Sequence, residues 1–377
     1  MSITGILSIL PSVDVMSLPS FDELYQRVGQ NTGNLLFTNA VWNQIAGPKK
    51  RFNFTFSPEK VNECVDTLVI PAANWLSPHV DFSDLANLVE QLTVPVVLIG
   101  LGAQDANYSK AINVPEGTVR FVRAVAERSA SVSVRGDYTR QILEGLGITN
   151  VTVTGCPSLY HDFRNSNPPP KRLRIRTERG LIHSTRYAAT YEPFARTESV
   201  HRQLFRFALA NQLDLLIQSE PDEMALLTGY SSPLDIEDRV RSLLIEIYQA
   251  GDWNSLVSYW QAHGRLFFNV DNWALALDAY DYVFGSRLHG TIMALNSGVP
   301  GVLIAHDSRT RELADFAAIP AVDAGGLQIT GNRVRNWIER ADYAAYYARR
   351  ETNRATYQAF LERNGLVHTL VPQAIGW

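Results

Sequence analysis

The stretch that decides the fold is Tyr282-Val283-Phe284-Gly285-Ser286-Arg287-Leu288-His289-Gly290. An apolar run of strand length stops at small residues, and Thr291-Ile292-Met293-Ala294-Leu295 continues at once as a helix. Gly298-Val299-Pro300 ends that helix, and Gly301-Val302-Leu303-Ile304-Ala305 is a second apolar strand. Two continuously apolar strands joined through a helix predict neighbours in a parallel sheet covered on both faces. In such sheets ligands gather beyond the carboxyl ends of the strands, where the next helix N-terminus favours anions. Arg287 and His289 fall at that point, so the spacing predicts a site for a phosphate- or carboxylate-bearing ligand.

The same alternation extends in both directions. Thr67–Ile70, Val94–Leu101, Ser131–Arg135 and Val151–Thr154 read as strands, separated by helices over Phe82–Leu92, Gly117–Arg128 and Tyr138–Leu146. Asp137 is the expected N-cap of the last of these. Asn165-Ser166-Asn167-Pro168-Pro169-Pro170 is a stiff connector, and beyond it the pattern restarts with strands Gly180–His183, Leu213–Gln218 and Leu266–Asn269. Asp271 is the expected cap of the helix that follows, and Ala341–Asn364 reads as a long tail helix. The fold class is therefore α/β, two Rossmann-like domains facing each other across a cleft. The expected boundaries are residues 1–165, residues 166–340, and a C-terminal helix over 341–377 packing back on the first domain.

Composition narrows the function. A net charge of −4 over 377 residues lacks the basic footprint of a nucleic-acid binder. Two cysteines, Cys64 and Cys156, make neither a disulfide framework nor a paired-cysteine metal site, so no metal and a reducing, cytoplasmic setting are expected. The N-terminal segment has no basic stretch ahead of its short apolar run, and no segment approaches the ~20 apolar residues of a membrane span. Gly100-Leu101-Gly102-Ala103 lacks the third glycine of a dinucleotide loop. Lys171-Arg172-Leu173-Arg174-Ile175-Arg176 is a basic cluster, read as a solvated linker face or as a contact for an anionic, membrane-held acceptor.

Three separated segments resemble one family. Ser286-Arg287-Leu288-His289-Gly290 with its helix and the Gly298-Val299-Pro300 turn is similar to the C-terminal motif of the polysaccharide pyruvyltransferase family. Val132-Ser133-Val134-Arg135-Gly136-Asp137-Tyr138-Thr139, followed by Gly145-Leu146-Gly147-Ile148, resembles its strand–Arg–Asp–helix element. Asn31-Thr32-Gly33-Asn34-Leu35-Leu36, followed by Ala40-Val41-Trp42-Asn43, resembles its N-terminal glycine loop. The resemblance implies a glycosyltransferase-B-like pair of domains. It also implies transfer of a pyruvyl group from phosphoenolpyruvate to a saccharide as a ketal, in surface polysaccharide assembly. The implied partners are phosphoenolpyruvate and a saccharide, free or lipid-linked at the inner face of the plasma membrane, with no cofactor besides the donor. Two departures stand out. Asn34 occupies a place where the family often has aspartate, and Ala305-His306-Asp307-Ser308-Arg309 lacks a common lysine, with Arg309 keeping a positive charge there.

On this reading His289 and Arg287 are the catalytic candidates. Arg287, Ser286, Gly290, Arg309 and His183 are the donor-binding candidates, and Gly33, Asn34 and Arg135 face the acceptor. Each has a plainer alternative: Arg287 in an internal ion pair, His289 on a carbonyl, His183 satisfied in its loop, Gly33 in a simple turn. His161, His201, His263 and His368 have no supporting context. Two other functions fit the same architecture, a nucleotide-sugar-dependent glycosyltransferase and a non-catalytic saccharide-binding relative. The sequence specifies neither the acceptor sugar nor an oligomeric state.

Overall fold

A computed structural model describes residues 2–9, 12–105, 112–161, 178–186 and 199–370. The Asn165–Pro170 connector and the Lys171–Arg176 cluster lie outside the described residues. In the first half, β1 (Thr4–Leu7), β2 (Lys49–Phe52), β3 (Thr67–Pro71) and β4 (Val96–Ile99) form a parallel sheet in the order β2-β1-β3-β4. A parallel bridge between Leu101 and Val134 extends it to β5 (Val132–Val134), which pairs with β6 (Val151–Val153). Successive side chains point to opposite faces, as a strand requires. Leu68 and Ile70 of β3, with Val96 and Leu98 of β4, pack outward in one core, whereas Val69, Val97 and Ile99 join a second core shared with the other half of the chain.

The second sheet contains β7 (Gly180–His183), β8 (Asp214–Leu216), β9 (Gly264–Arg265), β10 (Tyr282–Gly285), β11 (Gly301–Ala305) and β12 (Ala321–Asp323). Its order, β12-β11-β10-β7-β8-β9, is that of a dinucleotide-fold sheet, parallel throughout. The connections reverse direction between β7 and β10, the switch point where open sheets bind ligands. His183 ends β7 and the Ser286–Gly290 turn follows β10, so both are delivered to that crevice.

Two local expectations are corrected. The expected strand Leu266–Asn269 is instead the two-residue β9 just before it, because Asn269 is extended and caps the helix Val270–Ala276 by accepting from Asn272 N–H. Asp271 sits inside that first turn and is not the cap. Gly136, not Asp137, occupies the cap position of the helix Asp137–Gly145. The Asp137 carboxylate turns out to Arg140 at 2.9 Å.

The last helix, Tyr343–Arg363, runs from the second sheet's helices to the first half. Tyr346 Oη donates to Asn296 Oδ1, Arg350 Nε to Leu159 O, and Tyr357 Oη to Gln44 Oε1. Near its end, Asn364 Oδ1 accepts from the N–H of Ala130. Among the described residues no helix is long and apolar enough to cross a membrane.

Candidate functional site at the seam between the two sheets

The turn after β10 is organised by His183. Its ring is fully buried, Nδ1 accepts the Arg287 N–H at 2.9 Å, and Nε2 lies 3.3 Å from Thr291 Oγ1. With Nδ1 accepting, Nε2 carries the ring proton. Burial, and then the Arg287 charge, push its pKa down to about 3, so the ring is neutral. Two glycines of the turn follow from this packing. A side chain at Gly285 (φ +157°) would begin 1.8 Å from His183 O, and one at Gly290 would begin 2.8 Å from His183 Cδ2. His183 and Gly290 are thus internal bracing. Both ring nitrogens of His183 are occupied, and Gly290 leaves room for the ring. Ser286 is buried beside them: its N–H donates to His183 O, and its Oγ lies 3.1 Å from His201 Nδ1.

Arg287 turns inward. Its Nε donates to Ser184 O at 2.6 Å, and Nη2 donates to Ser219 Oγ and Glu220 Oε1. Burial opposes ionisation of Glu220, but Arg287 and the N–H groups of Ser219, Gln218 and Arg186 outweigh it and hold its pKa below the usual carboxylate range. The guanidinium is therefore already neutralised inside the fold, with its side chain 10% exposed and that of Glu220 2%. In this arrangement it anchors the segment after β8 to the turn after β10.

His289, two residues on, faces the opposite way. Its Nε2 is 3.8 Å from Cys156 Sγ, and its ring centre is 5.7 Å from that of Phe37. Nδ1 points to the N-terminal loop, 3.1 Å from where a side chain at Gly33 would begin. Gly33 has an ordinary helical φ of −61° and starts the helix Asn34–Gln44, so space rather than backbone conformation requires glycine there. Burial, then Arg135, Arg309 and Arg287, push the His289 pKa well below that of a free imidazole. The ring is neutral near pH 7. Asn34 has a different task. Its Nδ2 donates to Gly29 O and Val28 O, closing the loop behind it.

Arg135 joins the site from the first sheet. Its Nε donates to Gly100 O (2.9 Å), Nη1 to Asn74 Oδ1 (2.7 Å) and Nη2 to Ala72 O (3.3 Å), spanning the ends of β3, β4 and β5. The guanidinium lies 6.0 Å from the Phe37 ring centre and is 1% exposed. Among the described residues it forms no ion pair with a carboxylate. A buried cation with only neutral partners is costly, and an incoming anion offsets that cost. Arg309 approaches from the second half and is held by Asp307, whose Oδ2 is 3.3 Å from Nη2.

Direct contacts close the seam around these groups. Ser308 Oγ accepts the Asp105 N–H at 2.9 Å, and Ser308 N–H donates to Asp105 O at 3.2 Å. Glu312, on the helix Ser308–Ala317, accepts the Thr139 N–H (2.6 Å) and Oγ1–H (2.9 Å), capping the helix Asp137–Gly145 from the other domain. Gly136 has no room for a side chain because Glu312 Cγ lies 2.3 Å from where one would begin. Burial raises the Glu312 pKa to about 7, against its hydrogen bonds from Thr139 and the Arg135 charge.

A family model described as polysaccharide pyruvyl transferase matches residues 31–308, most of the chain and every element of this seam from the glycine loop to Ser308. The chain belongs to that family. No curated protein matches it. Among solved structures it is similar to S. aureus MnaA bound to UDP (11% identity, 95% and 97% of the two chains, TM-score 0.44). It is also similar to UDP-N-acetylglucosamine 2-epimerase from Rickettsia bellii (11%, 96% and 96%, 0.42) and to the glycosyltransferase SnogD from Streptomyces nogalater (12%, 95% and 82%, 0.32).

His289, Arg135, Arg309 and Gly33 stand along this seam beside groups that no local pattern singles out. Glu220 and Gln218 follow β8 at the same carboxyl edge as His183, a position that marks them out once the strand order is known. Cys156 follows β6 at the corresponding edge of the first sheet. His201, set aside for lack of context, is buried against Ser286 and edge-on to His306 at 4.6 Å.

Proposed function

We propose that this chain transfers the pyruvyl group of phosphoenolpyruvate to two hydroxyls of a saccharide, forming a ketal and releasing phosphate. The observation that supports the reading most is a neutral imidazole at the domain seam with an unpaired buried guanidinium, Arg135, close by. Phosphoenolpyruvate carries a phosphate and a carboxylate, and guanidinium groups suit either. Arg135 and Arg309 take the donor's charge in this account, in place of Arg287.

The reaction adds a proton to the methylene carbon of the donor, which leaves the adjoining carbon cation-like. One hydroxyl adds to that carbon, and a second displaces phosphate. Of the two hydroxyl protons, one is balanced by the new methyl C–H and the other leaves with phosphate. His289 Nδ1 takes a hydroxyl proton during attack, with Nε2–H directed at Cys156 Sγ. The anion offsets the repulsion from neighbouring arginines, so its arrival raises the basicity of the ring. General base assistance of this kind contributes about 10²–10⁴-fold. The test is thermal unfolding with each donor class. At about 100 times Kd a ligand adds about 2.7 kcal/mol of stability. Stabilisation by phosphoenolpyruvate supports the proposal, and stabilisation by nucleotide sugars alone supports a glycosyltransferase instead.

A further inference from the structure

Among the described residues, Gln30, Gln212, Gln249 and Ala318 are the non-glycine residues in the left-handed backbone conformation. Gln212 (φ +50°) and Gln249 (φ +54°) line the same cleft. Each follows a helix, Val200–Ala210 or Asp238–Tyr248, that ends in the same hydrogen-bond pattern. Leu213 N–H donates back to Ala208 O at 2.9 Å, and Ala250 N–H to Ile245 O at 3.1 Å. Glycine is the usual occupant of the left-handed position in that pattern, because a Cβ is costly there. Backbone held in this conformation by residues other than glycine concentrates at ligand sites.

The cleft holds about 530 Å³, within the span of small-ligand sites. It lies where β8 begins, at the sheet edge opposite the seam, and the helix Trp253–His263 closes its third side. Leu209, Ala250 and the buried ring of Tyr259 supply a hydrocarbon floor. Tyr259 Oη is engaged with Leu213 O (2.8 Å), and Ser255 Oγ with the backbone of Asp252. Among the described residues, the Gln249 carboxamide and the Ser258 hydroxyl have no hydrogen-bond partner in the protein. Gln212 uses only its Nε2, on Leu209 O at 2.9 Å. The open groups are thus amides and a hydroxyl, donors and acceptors together, and no side chain lining the cleft is charged. A phosphate, carboxylate or ammonium would lose water there without gaining a counter-charge. A nucleobase would find no aromatic face to stack on, since Tyr259 is 3% exposed. A sugar suits both parts of the cleft: its ring C–H groups meet the floor, and its hydroxyls meet the amides and Ser258.

We propose that this cleft is a second carbohydrate site, which holds a unit of a neutral saccharide between Gln212, Gln249 and Ser258. It is independent of the pyruvyl-transfer reading, because no residue of the seam contributes to it. The test is a saturation-transfer NMR titration of the full chain with maltotriose, cellotriose and mannotriose. Wild type should bind at least one of them. Gln249→Gly should weaken that binding about three- to tenfold, as the loss of one amide contact does. Its thermal midpoint should stay level or rise, since glycine is unstrained at φ +54°, so weaker binding is not a folding defect. Ser258→Ala, at an exposed helix position, should weaken binding by a similar factor. His289→Ala, which alters the seam, should bind the trisaccharide as wild type does. The proposal is overturned if no trisaccharide binds wild type, or if Gln249→Gly and Ser258→Ala both bind as tightly as wild type. Loss of binding in His289→Ala alone would place the sugar at the seam and overturn it equally.

Discussion

Replacing Glu312 with glutamine should remove one pH dependence from the stability of this protein. The Glu312 carboxyl is 5% exposed, caps a helix of the other domain and titrates near 7. An unfolded glutamate titrates near ~4.3. Because the folded pKa is the higher one, the folded state holds the proton more tightly. The resulting stability is fully present below the unfolded pKa and is lost as pH rises through the folded one. Between pH 5 and pH 8 the loss amounts to about 2.5 kcal/mol. Glutamine keeps one oxygen to accept from the Thr139 N–H and sets an amide N–H2 opposite the Thr139 hydroxyl, and it does not titrate. Urea unfolding of wild type and Glu312→Gln at both pH values isolates the term, because other titrating groups contribute to both proteins. Among these are the buried histidines His183, His201, His289 and His306, whose lowered pKa values act in the opposite sense as pH falls. Wild type should lose about 2.5 kcal/mol relative to the variant on going from pH 5 to pH 8. A gap that stays constant to within about 0.5 kcal/mol refutes the buried-cap assignment.

Other outcomes follow from the same geometry. Glu220→Ala leaves Arg287 buried without its partner and should cost about 3–5 kcal/mol in urea unfolding, whereas loss of a mere surface pair would cost under about 1 kcal/mol. Gly290→Ala forces a methyl against the His183 ring and should cost about 1–3 kcal/mol, measured the same way. Arg135→Met should abolish the phosphoenolpyruvate thermal shift, and because Gly100 O, Asn74 Oδ1 and Ala72 O lose their donor it should also cost about 1–3 kcal/mol in urea unfolding.

The parallel sheets were legible because an apolar strand between two helices has few other places to go. The place of His289 was legible for the same reason, standing where a strand ends and a helix begins. What escaped the sequence was every role that depends on a distant partner. Asp137 has the ideal local credentials for a cap, yet the cap comes from Glu312 across the seam, and no local pattern encodes a residue that far along the chain. The counter-charge of Arg287, Glu220, could not be named from the sequence because it is brought beside it only by the pairing of β7 with β8 and β10. The backbone bond from Thr32 N–H to Gln218 O, which joins the glycine loop to the end of β8, was invisible in the same way.

The account stands most directly on turnover at His289. Incubated with phosphoenolpyruvate and a saccharide that binds it, the wild-type chain should release inorganic phosphate and leave a pyruvyl ketal detectable by mass spectrometry. His289→Ala, folded and still stabilised by phosphoenolpyruvate, should do neither. Phosphate release by that variant at the wild-type rate would contradict the central claim.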